Sequence, residues 1–150
     1  MRTFDDLLAA HGKEIFAYAL RLTGDRDAAD DLFQETFLAA FRAFGRARDE
    51  NLRAWLYRIA TNKAADARRR DARTVRLEDL ALAGPGVDGV TAADLAAAIR
   101  TLPAHERAAF VLRRVQDWPY AEVARALDCS EEAARKRVSE ATKKVREAMA

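Results

Sequence analysis

An all-α fold, built as two small helical bundles joined by a flexible linker, is predicted by three observations. Apolar residues recur at helical spacing in every long segment, no stretch alternates β-branched residues as a strand would, and alanine supplies much of the 50% hydrophobic content. A charged fraction of 33% is that of a globular chain. Because alanine buries little area, each bundle is expected to be only modestly stable by itself.

The elements follow in order. Thr3 can cap a first helix whose apolar stripe is Phe4, Leu7, Leu8, Ile15, Tyr18 and Leu22, and Gly24 closes it where a left-handed residue is wanted. A second helix starts at Asp25 or Arg26, turns Ala29, Phe33, Thr36, Phe37, Ala40, Phe41 and Phe44 inward, and stops at Gly45. Its other side, mostly acidic, is Asp27, Asp30, Asp31, Gln34, Glu35 and Arg42. After a charged loop over 45–51, a third helix turns Leu52, Trp55, Leu56, Ile59 and Ala60 inward and leaves Arg53, Arg58, Lys63, Arg69 and Arg70 outside or on its flanks. From Asp71 to about Val90 the period dissolves, and Gly84-Pro85-Gly86 with Gly89 marks a linker.

Past Thr91, a candidate cap, Leu95, Ile99 and Leu102 define another helix, and Pro103 sits at the first turn of the next, which carries Phe110, Val111, Leu112 and Val115. A short helix over Tyr120 to Leu127, the turn Asp128-Cys129-Ser130 and a long helix from Glu131 make a helix-turn-helix, with Ser130 as cap and Asp128 tolerating the turn's unusual angles. Val123, Ala124 and Leu127 pack on Ala134 and Val138, which leaves Arg135, Lys136, Ser139, Glu140 and Lys143 exposed. The expected domains are 1–72, a linker over 73–90, and 91–150.

Charge is segregated. Residues 1–44 carry 5 basic and 8 acidic side chains, residues 45–76 carry 10 and 4, residues 77–99 carry no base and 4 acids, and residues 100–150 carry 11 and 8. Two basic blocks flank an acidic connector. The acidic second helix suits a basic protein surface; the basic third helix, with Trp55 and Tyr57 as candidate stacking rings, suits opened nucleic acid. Trp55, on the apolar stripe, is assigned to the core.

Catalysis has little to stand on. The chain lacks a Ser/His/Asp set, a phosphate-cradling glycine loop and a CxxC pair; Cys129 stands alone and the two histidines, His11 and His105, are far apart. No enzyme activity, cofactor or metal is therefore expected. With no basic-then-apolar leader and no apolar run near the roughly 20 residues of a membrane span, a cytoplasmic location is expected.

The stretch Asp30-Asp31-Leu32-Phe33-Gln34-Glu35-Thr36-Phe37, then Trp55-Leu56-Tyr57-Arg58-Ile59-Ala60 with Asn62, Asp66, Arg69 and Arg70, then Leu102-Pro103, Glu106-Arg107, Leu112-Arg113 and the unit from Tyr120 to Val145, resembles the extracytoplasmic-function sigma factors of bacterial RNA polymerase. These consist of region 2 and region 4 joined by a linker, and the likeness covers nearly the whole chain. It implies that the chain recruits core RNA polymerase to promoter DNA and nucleates strand opening. It also implies residue roles: Asp30, Asp31, Gln34, Glu35 and Phe37 dock on the polymerase clamp; Arg53, Asn62, Lys63, Asp66, Arg69 and Arg70 meet the minus-ten element, with loop 45–51 capturing a flipped base. Ser130, Arg135, Lys136, Ser139, Glu140 and Lys143 would face the minus-thirty-five element. An anti-sigma partner is compatible with the linker. Glu140, where many relatives have a basic or neutral residue, departs from the pattern. A regulator that binds DNA through 91–150 alone and a sigma-like decoy are the alternatives.

Overall fold

The computed structural model describes residues 3–47, 51–70 and 92–150, with 68–70 described by backbone alone. All regular structure among them is helical: α1 (Phe4–Thr23), α2 (Arg26–Ala43), α3 (Leu52–Arg70), α4 (Ala92–Arg100), α5 (Ala104–Phe110), α6 (Tyr120–Leu127) and α7 (Glu131–Met149), with a 3-10 turn at Phe44–Arg46 and a π turn at Val111–Val115. The predicted linker and the predicted cap Thr91 lie outside the described residues.

Local chemistry sets most boundaries. Thr3 and Asp6 form a capping box on α1, each side chain accepting from the other's backbone N–H at 3.1 and 3.2 Å. Gly24 ends α1 in the left-handed region at φ 69°, its N–H donating to Leu20 O. Asp25 caps α2, and Asn51 Oδ1 accepts from Ala54 N at 3.0 Å to open α3. Asp128 takes φ 55° between α6 and α7, the left-handed geometry that its short polar side chain tolerates, and Ser130 Oγ caps α7 through Ala133 N.

The first bundle packs α1, α2 and α3 around Leu7, Ile15, Tyr18, Leu32, Phe37, Leu56 and Tyr57. Inside it Thr61 Oγ1 donates to Tyr57 O, so the buried Tyr18 hydroxyl donates in turn to Thr61 Oγ1 at 2.8 Å. Burial in this apolar setting pushes the Tyr18 hydroxyl far above its ordinary pKa, keeping it a neutral donor. The second bundle packs α4 to α7 around Leu102, Phe110, Leu112, Val123, Leu127 and Val138. A Lys144–Glu106 ion pair at 2.9 Å ties α7 to α5.

Three apolar assignments change. Leu8 and Val115 are partly exposed, and Phe41 is 61% exposed despite its helical spacing from Phe37. Phe4 of α1 meets Phe41 edge to face at 5.2 Å, and most of the Phe41 side chain stays in solvent.

The two bundles also pack on each other, α3 lying along α6 and α5. Arg58 Nη2 donates to Arg125 O at the end of α6 (2.9 Å). Arg107 Nη1 donates to Leu22 O at the end of α1 (2.7 Å), while its Nη2 donates to Arg100 O and Leu102 O at the end of α4. In each case a guanidinium meets the negative end of a helix, where carbonyls lack intrahelical partners. Arg21 completes the set by donating to Gln116 Oε1 at 2.8 Å.

Candidate nucleic-acid interface

On α2, the residues expected to meet a protein partner split into two groups. Asp30, Asp31 and Gln34 are exposed and Glu35 is half-buried on one helix side, but Phe37 is only 6% exposed. Its ring packs against Phe4 and Phe33, so it supports the helix from within. Leu38 and Phe41 extend the exposed side beyond Glu35 as an apolar continuation, although the spacing of Phe41 predicts an inward position.

On α3, Asn62 is exposed and Lys63 and Asp66 are half-buried; the side chains of Arg69 and Arg70, and loop residues 48–50, lie outside the described residues. Arg53 is already engaged. Its Nε donates to Glu14 Oε1 at 2.9 Å, and its guanidinium lies 4.3 Å from the ring centre of Trp118, which the second bundle supplies. Tyr57 is no stacking platform: it is 1% exposed, meets Trp118 edge to face at 4.5 Å, and donates its hydroxyl to Glu14 at 2.8 Å. Arg58, expected outside, is held by the Arg125 carbonyl. Trp55 is half-buried against the core, as assigned.

Glu14 gathers this cluster. Burial works to raise its pKa, but hydrogen bonds from His11, Tyr57 and Arg53, with the Arg53 charge, outweigh burial and hold it below the usual carboxylate range. Burial, with the Glu14 bond and charge, pushes the Tyr57 hydroxyl well above its ordinary value, so the pair is a carboxylate and a neutral phenol at neutral pH.

On α7 the geometry is the reverse. Ala134, Val138, Ala141 and Val145 are buried, and Ser130, Arg135, Lys136, Ser139, Glu140 and Lys143 are all exposed. Period 3.6 alone produces this division. A groove of about 410 Å³ runs between the end of the π turn and α7, lined by Arg114, Tyr120, Arg135, Lys143 and Arg146 among others. Trp118, Tyr120, Arg114 and Arg146 are not among the site residues expected from the sequence. An aromatic pair around Pro119, at the entrance to a predicted helix-turn-helix, was the available signal. Among the described residues no group of His, Cys, Asp and Glu could hold a metal ion, and no helix is long and apolar enough to cross a membrane.

Comparison with known proteins agrees with this layout. The family model Sigma-70 region 2 matches residues 7–74, and Sigma-70, region 4 matches residues 92–145. The ECF RNA polymerase sigma factor SigE of Mycolicibacterium smegmatis is 32% identical over 162 residues, a match covering 100% of this chain and 63% of the relative. The RNA polymerase sigma factor CarQ of Myxococcus xanthus is 32% identical over 152 residues, covering 96% of this chain and 87% of CarQ. Among solved structures, the sigma factor RpoE in complex with the anti-sigma factor NepR from Bartonella quintana aligns with TM-score 0.73 at 25% identity, over 99% of this chain and 98% of that one. CnrH in complex with the cytosolic domain of CnrY aligns with TM-score 0.70 at 29% identity, over 95% and 84%.

Proposed function

Because the chain belongs to the extracytoplasmic-function sigma factors of the sigma-70 family, which serve promoter-specific transcription initiation with RNA polymerase, we propose a division of that work among its helices. The first bundle, within 1–72, docks on core polymerase through Asp30, Asp31, Gln34 and Glu35 of α2, with Leu38 and Phe41 adding apolar contact. The second, within 91–150, reads the minus-thirty-five element through α7. The observation that carries this reading is the open polar face of α7, from Ser130 to Lys143, in a helix-turn-helix. Asn62, Lys63, Asp66, Arg69 and Arg70 follow the opened minus-ten strand, and the loop 45–51 takes a flipped base at a cost of a few kcal/mol that binding must offset. The chain acts as a regulatory initiation factor without chemistry of its own, in the cytoplasm where polymerase works.

Engaging both promoter elements separates the two bundles. Roughly 25 base pairs at about 3.4 Å each place the elements roughly 85 Å apart along the duplex. Here Arg58 of α3 and the Arg125 carbonyl of α6 are 2.9 Å apart. The 21 residues between Arg70 and Ala92 set an upper limit of about 70 Å on the separation of the ends of α3 and α4, which with the bundles' own width matches that span. A protein that holds the closed form would inhibit. The structural relative RpoE was solved in complex with the anti-sigma factor NepR, and CnrH with the cytosolic domain of CnrY, which supports an anti-sigma partner here.

The test is transcription in vitro with purified core polymerase on genomic fragments, with permanganate mapping of unpaired thymines. A defined start, and reactive thymines at the minus-ten element, are expected. Transcripts without a defined start on every fragment would return the chain to the decoy reading. Sequence-specific duplex binding without polymerase would favour the stand-alone regulator.

A further inference from the structure

In the helix-turn-helix two arginines share one aromatic ring. Tyr120, the first residue of α6, is half-buried, and two guanidinium groups lie over its ring, Arg113 from the π turn and Arg135 from α7, each 4.4 Å from the ring centre. One guanidinium is anchored, since half-buried Arg113 donates Nη1 to Trp118 O at 3.0 Å. The other faces solvent: the Arg135 side chain is 59% exposed, with Glu131 one turn back at 3.8 Å. Tyr120 and Arg135 form part of the wall of the groove along α7, to which Arg114, Lys143 and Arg146 add positive charge and Glu147 one acid.

An arginine on a helix surface samples many rotamers, and a hydrogen-bonded pair with a base must fix them. A ring that takes the guanidinium against its face removes part of that cost beforehand and leaves the in-plane N–H fork free for a bidentate acceptor. A phosphate contact needs only charge, whereas a guanine edge needs the fork in place.

We propose that Tyr120 is a positioning residue of the promoter reader, holding Arg135 ready for a base edge before DNA arrives. The proposal rests on the reading of α7 as the minus-thirty-five helix. It places sequence discrimination, rather than general affinity, under the control of a side chain on the neighbouring helix.

The experiment measures binding of the full chain with core polymerase to duplexes randomised in the upstream element, for the unmodified protein, Arg135→Ala, Tyr120→Phe, Tyr120→Met and the double variant. Tyr120→Met is expected to reduce discrimination about two- to fivefold, at the positions that Arg135→Ala affects. It should leave scrambled elements unchanged and add nothing to Arg135→Ala in the double variant. Tyr120→Phe, which keeps the ring, should behave as the unmodified protein. Additive effects of Tyr120→Met and Arg135→Ala, or an equal loss on every sequence, overturn the proposal. If Arg135→Ala itself leaves discrimination intact, the reading of α7 falls and the proposal with it. If Arg135→Ala matters and Tyr120→Met does not, the positioning role alone falls. A second measurement needs neither a variant nor polymerase: side-chain NMR of the free chain should place the Arg135 δ protons upfield of those of Arg146, through the Tyr120 ring current, and coincident shifts would overturn the stack.

Discussion

The two surfaces assigned to DNA differ in what stands in front of them. On α7 the polar face is open from Ser130 to Lys143, and its arginine is pre-stacked on Tyr120. On α3, Arg53 lies under Trp118 and Arg58 is bonded to the end of α6. Both helices carry cations at helical spacing, and composition alone would rank the third-helix segment as the stronger DNA ligand. The contrast teaches that availability is set by the neighbouring bundle rather than by local charge: the upstream reader is presented from the start, and the region around Arg53 must be uncovered.

Substitutions on the two sides should therefore fail differently. The largest effect is expected from Trp118→Ala, which removes the ring shared by Arg53 and Tyr57 and should lower folding stability by about 3–5 kcal/mol, read as the urea midpoint with helicity retained; an unchanged midpoint would mean that the contact between bundles contributes nothing. Arg107→Ala takes a charged donor from three helix-end carbonyls and should lower stability by about 1.5–3 kcal/mol. An effect confined to loosening of α4, seen by hydrogen exchange, would show that the bond to Leu22 is dispensable. On the open side, Arg135→Ala should move stability by no more than about 1 kcal/mol while shifting preference at one promoter position by about 1–3 kcal/mol. A large stability loss there would erase the distinction between the two faces.

The smallest effect is a dependence on pH. The pKa of Glu14 is depressed in the folded chain, so its contribution is fully present above the ordinary carboxylate range and is lost as pH falls through the folded value. Acid should loosen the Arg53 and Tyr57 attachments first, and Glu14→Gln should flatten the acid limb of a stability profile measured by urea melts. If the limb keeps its slope in that variant, other carboxylates govern it. The prediction is particular to α3, where Glu14 binds both Arg53 and Tyr57.

Much of the fold was legible because its signals are local. Thr3, Gly24, Asp25, Asp128 and Ser130 act within a few residues of themselves, and each stands where the sequence placed it. The face of α7 was legible because one side of a periodic helix packs on its own hairpin. The closed packing of the bundles was not, since it consists of guanidinium groups meeting carbonyls and an indole, and an arginine bound for such a contact looks in sequence like a solvated one. Tyr57 was misread for the same reason: its ring meets Tyr18 and its hydroxyl meets Glu14 inside the first bundle, and Trp118 of the second adds a further contact. Phe41 failed in the other sense, for its spacing is that of core but it lies beside the first residue of α1, Phe4.

The contact of Arg58 with the end of α6 also has a thermodynamic reach. If the fully engaged state is open, the apparent dissociation constant on a promoter equals the intrinsic one divided by the open fraction. Each 1.4 kcal/mol or so invested in closing the bundles then weakens promoter occupancy about tenfold. The strength of every promoter in the set can thus be raised or lowered together by residues that touch no base, leaving the ranking among promoters to α7.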